Sequence, residues 1–266
     1  MRHTAWLAVI VMTVMAGMGF GNAVAREVTV AVPRSVPPYV IPENWSGIEY
    51  EVVKRSLALA GHTMIPRLTV LARLPKEMQT QEIDAAMTMR PETGVVACYS
   101  NTHVTYRNYA VSLERNDVRV GSIADLADKS VVAFQNAHVY LGEDYARATQ
   151  KAASYREEAN QVVQALLLYS DRIQVVVADY NIFRWFAAEV RGKVDVTQRL
   201  RLHPIFPPTD YQVAFRDPAL CAQFNQGLAQ LKESGEFDRI VARYLSQMEN
   251  NLAQAVNGES RPKQAE

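Results

Sequence analysis

The stretch Glu82–Gly94, EIDAAMTMRPETG, limits the fold more than any other part of the chain. It opens with a short apolar run, Ile83–Met87, which reads as a strand. It then enters the polar segment Thr88–Gly94, where Pro91 cannot donate to a continuing ladder. Such an edge, at the carboxyl end of a strand in an α/β layer, is where ligands are usually held. Residues 161–180, QVVQALLLYSDRIQVVVADY, repeat the outline of residues 75–89: apolar helix, polar turn, short strand, acidic residue nearby. Two units of similar build predict two α/β lobes. One α/β protein with several helix–strand units is the plainer alternative.

Met1–Ala25 has the plan of a secretory signal peptide: Arg2, an apolar run over Ala5–Phe20, and the small-residue site Ala23-Val24-Ala25. Cleavage after Ala25 predicts a soluble product outside the cytoplasm, with no stable membrane insertion. An uncleaved anchor is the rival, because the apolar stretch approaches spanning length. No cysteine follows that stretch to carry a lipid. About 240 residues remain, enough for one large domain or two small ones. Lys+Arg and Asp+Glu are equal at 28 each, which gives no electrostatic reason to expect nucleic acid. Cys98 and Cys221 leave two options open, a disulfide closing a long loop or two separate buried thiols. Their spacing does not resemble a metal cluster.

Taken in order, Glu27–Val32 alternates as a first strand. A rigid loop with four prolines follows, carrying Tyr39 and Trp45, which either bind or simply pack the loop down. Ile48, Val52, Val53, Leu57 and Leu59 mark an amphipathic helix that Gly61 ends. Thr63–Leu71 is a strand candidate broken by Pro66, and Leu74–Thr80 a short helix. Val95–Ser100 and Asn108–Leu113 are extended. Ser122 and Asp125 cap a short helix. Ser130–Phe134 is a strand, Gln135–Val139 its exit loop and Tyr140–Gln150 a helix; a brief strand at 153–155 and a helix over 159–169 come next. Ile173–Ala178 reads as a strand covered on both faces and closed by Asp179. Tyr180–Arg191 is a helix whose aromatic residues read as core. Leu200–Phe206 and Tyr211–Phe215 are extended, Pro218–Glu233 and Phe237–Met248 helical, and the chain beyond Asn250 is polar and frayed.

These pieces, in this order, resemble the solute-binding proteins of polar amino acid uptake, bacterial extracellular solute-binding protein family 3. The resemblance runs from Val30 to about Leu245. It rests on PPY (37–39), Gly47, IEYEVVKRSLALAG (48–61), EIDAAMT (82–88), SIADLADKSVVAFQ (122–135) and QALLLYSDRIQVVVAD (164–179). Its most specific phrase is YQVAFRDPALCAQFNQGLAQLKESGEFDRIVARYL (211–245). The resemblance implies an α/β fold of two Rossmann-like lobes joined by two crossing strands, the periplasmic binding protein type II fold. The implied layout is a signal peptide over 1–25, lobe 1 over 26–109 and 210–256, lobe 2 over 110–209, and a polar tail over 257–266. The crossings would be Asn108–Leu113 and Ile205–Val213. Such a protein is a monomer that closes on a small polar ligand in the periplasm and hands it to a membrane permease, or signals to a periplasmic partner.

The departures from the family pattern bear on the ligand. The family's threonine-proline-glutamate-arginine run clamps an α-carboxylate with its arginine; here the run is Arg90-Pro91-Glu92-Thr93. Thr93 cannot supply the bidentate fork a carboxylate prefers. Arg90 supplies it if it turns into the cleft; otherwise it holds the lobe edge. The family's glycine-threonine in lobe 2 is Asn136-Ala137 here, with His138 as a neighbouring donor or a plain loop residue. Asp179 matches the acid that receives the ligand's ammonium, and it can also cap the following helix. The candidate ligand-binding residues are therefore Tyr39, Trp45, Thr88, Arg90, Thr93, His138 and Asp179. A small polar solute without the usual α-carboxylate arginine is the leading expectation. An accessory or sensory protein that kept the fold without transport is the alternative. A dehydratase-like enzyme using Glu92, Glu143, His138 and Asp179 is a third, but no spacing demands it. No catalytic residue, metal or cofactor is expected.

Overall fold

A computed structural model describes residues 25–34, 36–80 and 82–256. The signal peptide expected over residues 1–25, apart from Ala25, and the polar tail over 257–266 lie outside the described residues. No helix among the described residues is long and apolar enough to cross a membrane.

Two sheets organise the chain. Strands β1 (Glu27–Pro33), β2 (Thr63–Thr69), β3 (Ala85–Met89), β4 (Cys98–Tyr99) and β5 (Val104–Tyr106) belong to the first, with helices α1 (Ile48–Leu59) and α2 (Leu74–Glu77) between them. The second holds β6 (Asn108–Leu113), β7 (Ser130–Phe134), β8 (Ser154–Glu158), β9 (Val175–Asp179) and β10 (Leu200–His203). Its helices are α3 (Ala137–Tyr140), α4 (Glu143–Thr149), α5 (Val162–Tyr169) and α6 (Tyr180–Glu189). The chain then returns through β11 (Thr209–Phe215), α7 (Pro218–Glu233) and α8 (Glu236–Val256). The first sheet runs β2-β1-β3-β11-β4 with β5 also on β11; the second runs β10-β6-β9-β7-β8. In each, parallel strands meet one strand of opposite sense: β11 is antiparallel to β3, and β6 to β9.

The apolar patterns explain the layers. Along β9, Val175 and Val177 enter one core cluster while Val176 and Ala178 enter another, so this central strand is covered on both faces. On β1, Val28, Val30 and Val32 face α1 and α7 while Ala31 faces α2. The 3-10 turn after Ser122 carries the capping box that Ser122 and Asp125 predict.

Several expectations shift. Pro66 does not break β2; it pairs in register with Val30, and β2 is an edge strand, where a missing N–H faces outward. The strand expected at Ile83–Met87 is β3, two residues later. Asp84 Oδ2 accepts from the Thr29 N–H at 2.8 Å, which holds the chain off the ladder until Ala85. The helix expected over Tyr140–Gln150 is split into α3 and α4 at Gly142, whose φ of 87° favours glycine. Leu59 is 45% exposed and lies off the apolar face of α1. α8 continues to Val256 instead of fraying at Asn250. The passages between sheets are also shorter than the strands expected to cross. Arg107 alone separates β5 from β6, and residues 204–208 separate β10 from β11.

Cys98 on β4 and Cys221 on α7 form a disulfide, with their Cα atoms 6.1 Å apart. Both anchor points lie in the first lobe, so the loop they close contains the whole of the second sheet. The lobes are also in contact. Ile182 and Phe186 of α6 join the first lobe's core cluster, and Arg184 of α6 pairs with Glu249 of α8 at 3.8 Å.

Candidate functional site

The site begins with Gly47, whose φ of 120° is open to few other residues. A Cβ there would lie 2.3 Å from the Tyr39 carbonyl oxygen. This close approach lets the N–H groups of Glu49 and Tyr50, at the start of α1, donate to that carbonyl at 3.0 and 3.2 Å. The proline-rich loop and the first turn of α1 are thereby locked together. Tyr39 and Glu49 are held at the face of the first lobe that meets the second.

Glu49 is fully buried. Oε1 accepts from the Thr88 hydroxyl at 2.7 Å and contacts His103 Nε2 at 2.9 Å, while Oε2 accepts from the Tyr106 hydroxyl at 2.8 Å. Thr88 reaches it from the end of β3 with φ at 59°, an uncommon conformation for a β-branched residue. The ladder between β3 and β11 is irregular beside it, between Gln212 and Ala214. The hydrogen bond to a buried carboxylate is what holds Thr88 there. His103 Nδ1 has no partner among the described residues. Sequence reading missed this cluster. The signal was present: Glu49 lies three and four residues before Val52 and Val53, on the buried stripe of α1.

From the second lobe, Asp179 closes β9 and caps α6. Its Oδ1 accepts from the N–H groups of Asn181 and Ile182 at 3.0 and 3.1 Å. Its Oδ2 accepts from the Arg107 N–H at 2.8 Å and from the Tyr39 hydroxyl at 3.1 Å. Burial pushes this carboxyl up to about 6, and the hydrogen bonds only partly offset it. The Tyr39 hydroxyl also accepts from Asn181 Nδ2 at 3.1 Å, so one phenol joins the two lobes twice. Burial, and then the Asp179 charge, hold that phenol well above its usual range. Its ring stacks on Tyr106 at 3.9 Å, and Tyr106 packs against Tyr211 at 4.7 Å.

A cavity of about 30 Å³ lies between the lobes, lined by Val36, Leu71, Thr88, Tyr106 and Tyr211 from the first and by Asn108, Phe134, Gln161, Asp179 and Ile182 from the second. That is room for a water or two, far below the several hundred Å³ of ordinary ligand pockets. Of the expected site residues, Thr88 and Asp179 line this cavity, and Tyr39 reaches it only through its hydrogen bond to Asp179. Arg90 lies at the junction of the lobes, where it donates to the Tyr140 carbonyl at 3.3 Å and pairs with Glu92 at 3.4 Å; it does not line the cavity. Thr93 is tied to its own turn, donating to the Arg90 carbonyl at 2.7 Å and meeting the Tyr99 hydroxyl at 3.2 Å. Trp45 is 40% exposed beside Tyr50, because Gly47 turns the chain into α1 directly after it. His138 is also exposed: Glu157 holds its Nδ1 at 2.7 Å and its N–H at 3.0 Å, away from the cavity. Asn108, Phe134, Gln161 and Tyr211 are lining residues that no local pattern singles out. The described residues contain no cluster of His, Cys, Asp and Glu suited to a metal.

The raised Asp179 carboxyl has a measurable consequence. Its folded value lies above the ordinary 3.8, so the folded chain holds the proton more tightly. The resulting stability is fully present below about pH 4 and is lost as pH rises through about 6. The stability difference between the wild type and Asp179→Asn, measured by urea unfolding, should therefore shift against the wild type between pH 4 and pH 7. A difference that stays flat over that range would place the carboxyl in an ordinary environment.

The sequence profile of the bacterial extracellular solute-binding proteins, family 3, matches residues 28–247. No curated relative matches the chain in sequence. Among solved structures, a mutant of the arginine-binding protein of T. maritima is similar at TM-score 0.66 and 20% identity, over 83% of this chain and 95% of that one. A histidine kinase sensor domain with similarity to periplasmic binding proteins gives 0.69 and 20%, over 82% and 96%. A substrate-binding protein of an ABC uptake transporter from Streptococcus pneumoniae, with bound histidine, gives 0.65 and 13%, over 83% and 92%. The two-lobed fold is thus the type II periplasmic binding protein fold, typical of secreted and periplasmic binding proteins rather than of catalysts. The chain belongs to the family 3 bacterial extracellular solute-binding proteins.

Proposed function

We propose that this is a periplasmic solute-binding protein that closes on a small polar solute lacking a free α-carboxylate, for delivery to a membrane permease. The observation that carries this reading is the cavity's chemistry. Thr88, Tyr106, Tyr211, Asn108, Gln161 and Asp179 offer neutral polar groups and one carboxylate, and no Lys or Arg is among the described residues lining it. A solute carboxylate enclosed there would lack a partner, which costs several kcal/mol. Similar solved structures hold arginine or histidine, solutes that carry such a carboxylate. Asp179 offers about four lone-pair sites and already fills four, one of them with the Tyr39 hydroxyl from the other lobe. A solute N–H takes that fourth place when the lobes part, and the Tyr39 ring then covers it.

Native mass spectrometry of the secreted protein, purified without refolding, tests this reading. A small molecule bound in the cleft is the expected result. A ligand-free protein whose X-ray scattering no solute alters would instead favour a second reading, an accessory or sensory protein latched by its own side chains. The size of the cavity and the Tyr39–Asp179 bond support that second reading.

A further inference from the structure

Asn108 stands at the start of β6, one residue past the end of the first lobe's β5, and is 6% exposed. Tyr211 approaches from β11 in the first lobe and is 5% exposed. Both line the cavity. Neither the Asn108 amide nor the Tyr211 hydroxyl has a hydrogen-bond partner among the described residues, and neither is among the polar atoms sealed from solvent, so both reach the cavity surface. Buried polar groups are served by a protein partner, by water or by a ligand. As the lobes stand, the cavity has room for a water or two. A solute that replaces such water has to reproduce its hydrogen bonds.

The walls offer more acceptors than donors. Thr88 and Tyr106 give their hydroxyl protons to Glu49 at 2.7 and 2.8 Å, so toward the cavity their oxygens accept. The Asn108 amide presents an acceptor oxygen beside a donor NH2 group, and the Tyr211 hydroxyl has a proton to give. An alcohol brings one proton with each oxygen and leaves such a wall short of donors. A primary carboxamide or a urea brings two or more N–H groups for one carbonyl oxygen. Its planar group also suits walls that include the rings of Tyr106, Phe134 and Tyr211. We infer that the solute is a small neutral primary amide or urea, held between the lobes by Asn108 and Tyr211. The Tyr211 hydroxyl donates to the solute carbonyl. The Asn108 oxygen, with that of Thr88 or Tyr106, accepts from the solute N–H groups. Tyr211 belongs to the first lobe and Asn108 to the second, so one small amide bridges both. This inference rests on the reading of the cleft as a solute site and names the class of solute it takes.

Chemical-shift titration of the 15N-labelled protein tests it with three probes: acetamide, acetone, which keeps the carbonyl and lacks N–H groups, and ethylene glycol, which carries paired hydroxyls. The wild type should bind acetamide at least about tenfold more tightly than either of the others, the scale of a buried hydrogen-bonding group left unpaired. Asn108→Leu should bring the ratio of acetamide to acetone affinity close to one. Tyr211→Phe should weaken both carbonyl probes by about the same factor and keep their ratio, a split that a merely structural role for either residue would not give. Should Asn108→Leu fail to fold, Tyr211→Phe decides: unchanged binding of the carbonyl probes overturns the inference. Equal binding of acetamide and acetone by the wild type, a preference for the glycol, or a co-purifying solute without an amide or urea group overturns it while the solute-binding reading stands. If none of the probes binds, the inference falls, and the solute-binding reading falls with it only if no solute co-purifies.

Discussion

Replacing Glu49 with alanine is expected to cost about 3–5 kcal/mol of folding stability, the range for breaking a buried charged network by removing one member. The carboxylate accepts from two hydroxyls and a ring nitrogen in a setting without solvent. Its loss strands Thr88, Tyr106 and His103, each with a donor that has no other partner in the cluster. Thr88 would also lose the bond that holds its left-handed backbone conformation. Urea unfolding checks this. A loss of less than about 1 kcal/mol, the scale of an exposed ion pair, would mean that water or a rearranged partner already serves these groups.

Reducing the Cys98–Cys221 disulfide, or replacing both cysteines with alanine, is expected to cost about 2–5 kcal/mol. The bond joins residues 123 apart in sequence, which places it among long loops for which the chain-entropy contribution is largest. Both ends lie in the first lobe, so its removal should loosen that lobe and leave the contacts of the second sheet intact. Denaturant unfolding with and without reductant measures the cost. Equal midpoints would show that the bond constrains nothing the fold does not already constrain.

Much of the architecture was legible because it rests on local periodicity. The unbroken run that becomes β9, the alternation of β1, and α7 with Pro218 in its first turn follow from patterns a few residues long. The misplaced boundaries have tertiary causes. Pro66 is tolerated only because β2 ends up at an edge, which its own residues do not specify. β3 starts late because Asp84 is engaged with Thr29 on another strand. The candidate site was legible where it coincides with a sheet edge. Asp179 ends a β-branched run, and Thr88 ends the strand after Ile83. Trp45, Thr93 and His138 were plausible by proximity in sequence, but each is taken up by neighbours in its own lobe. Glu49 was hidden by its residue type. A glutamate in the first turn of a helix ordinarily favours the helix dipole from solvent, and only the arrival of Thr88, His103 and Tyr106 from distant segments buries it.

The central claim is that the cleft has no place for a free α-carboxylate. Isothermal titration calorimetry of the wild-type protein against the common α-amino acids tests it most directly. The account predicts no saturable heat at micromolar concentrations for any of them, because Asp179 and the neutral groups around it give a carboxylate nothing to pair with. Micromolar binding of an ordinary α-amino acid, unchanged by Arg90→Ala, would contradict the account and place a carboxylate partner elsewhere in the cleft.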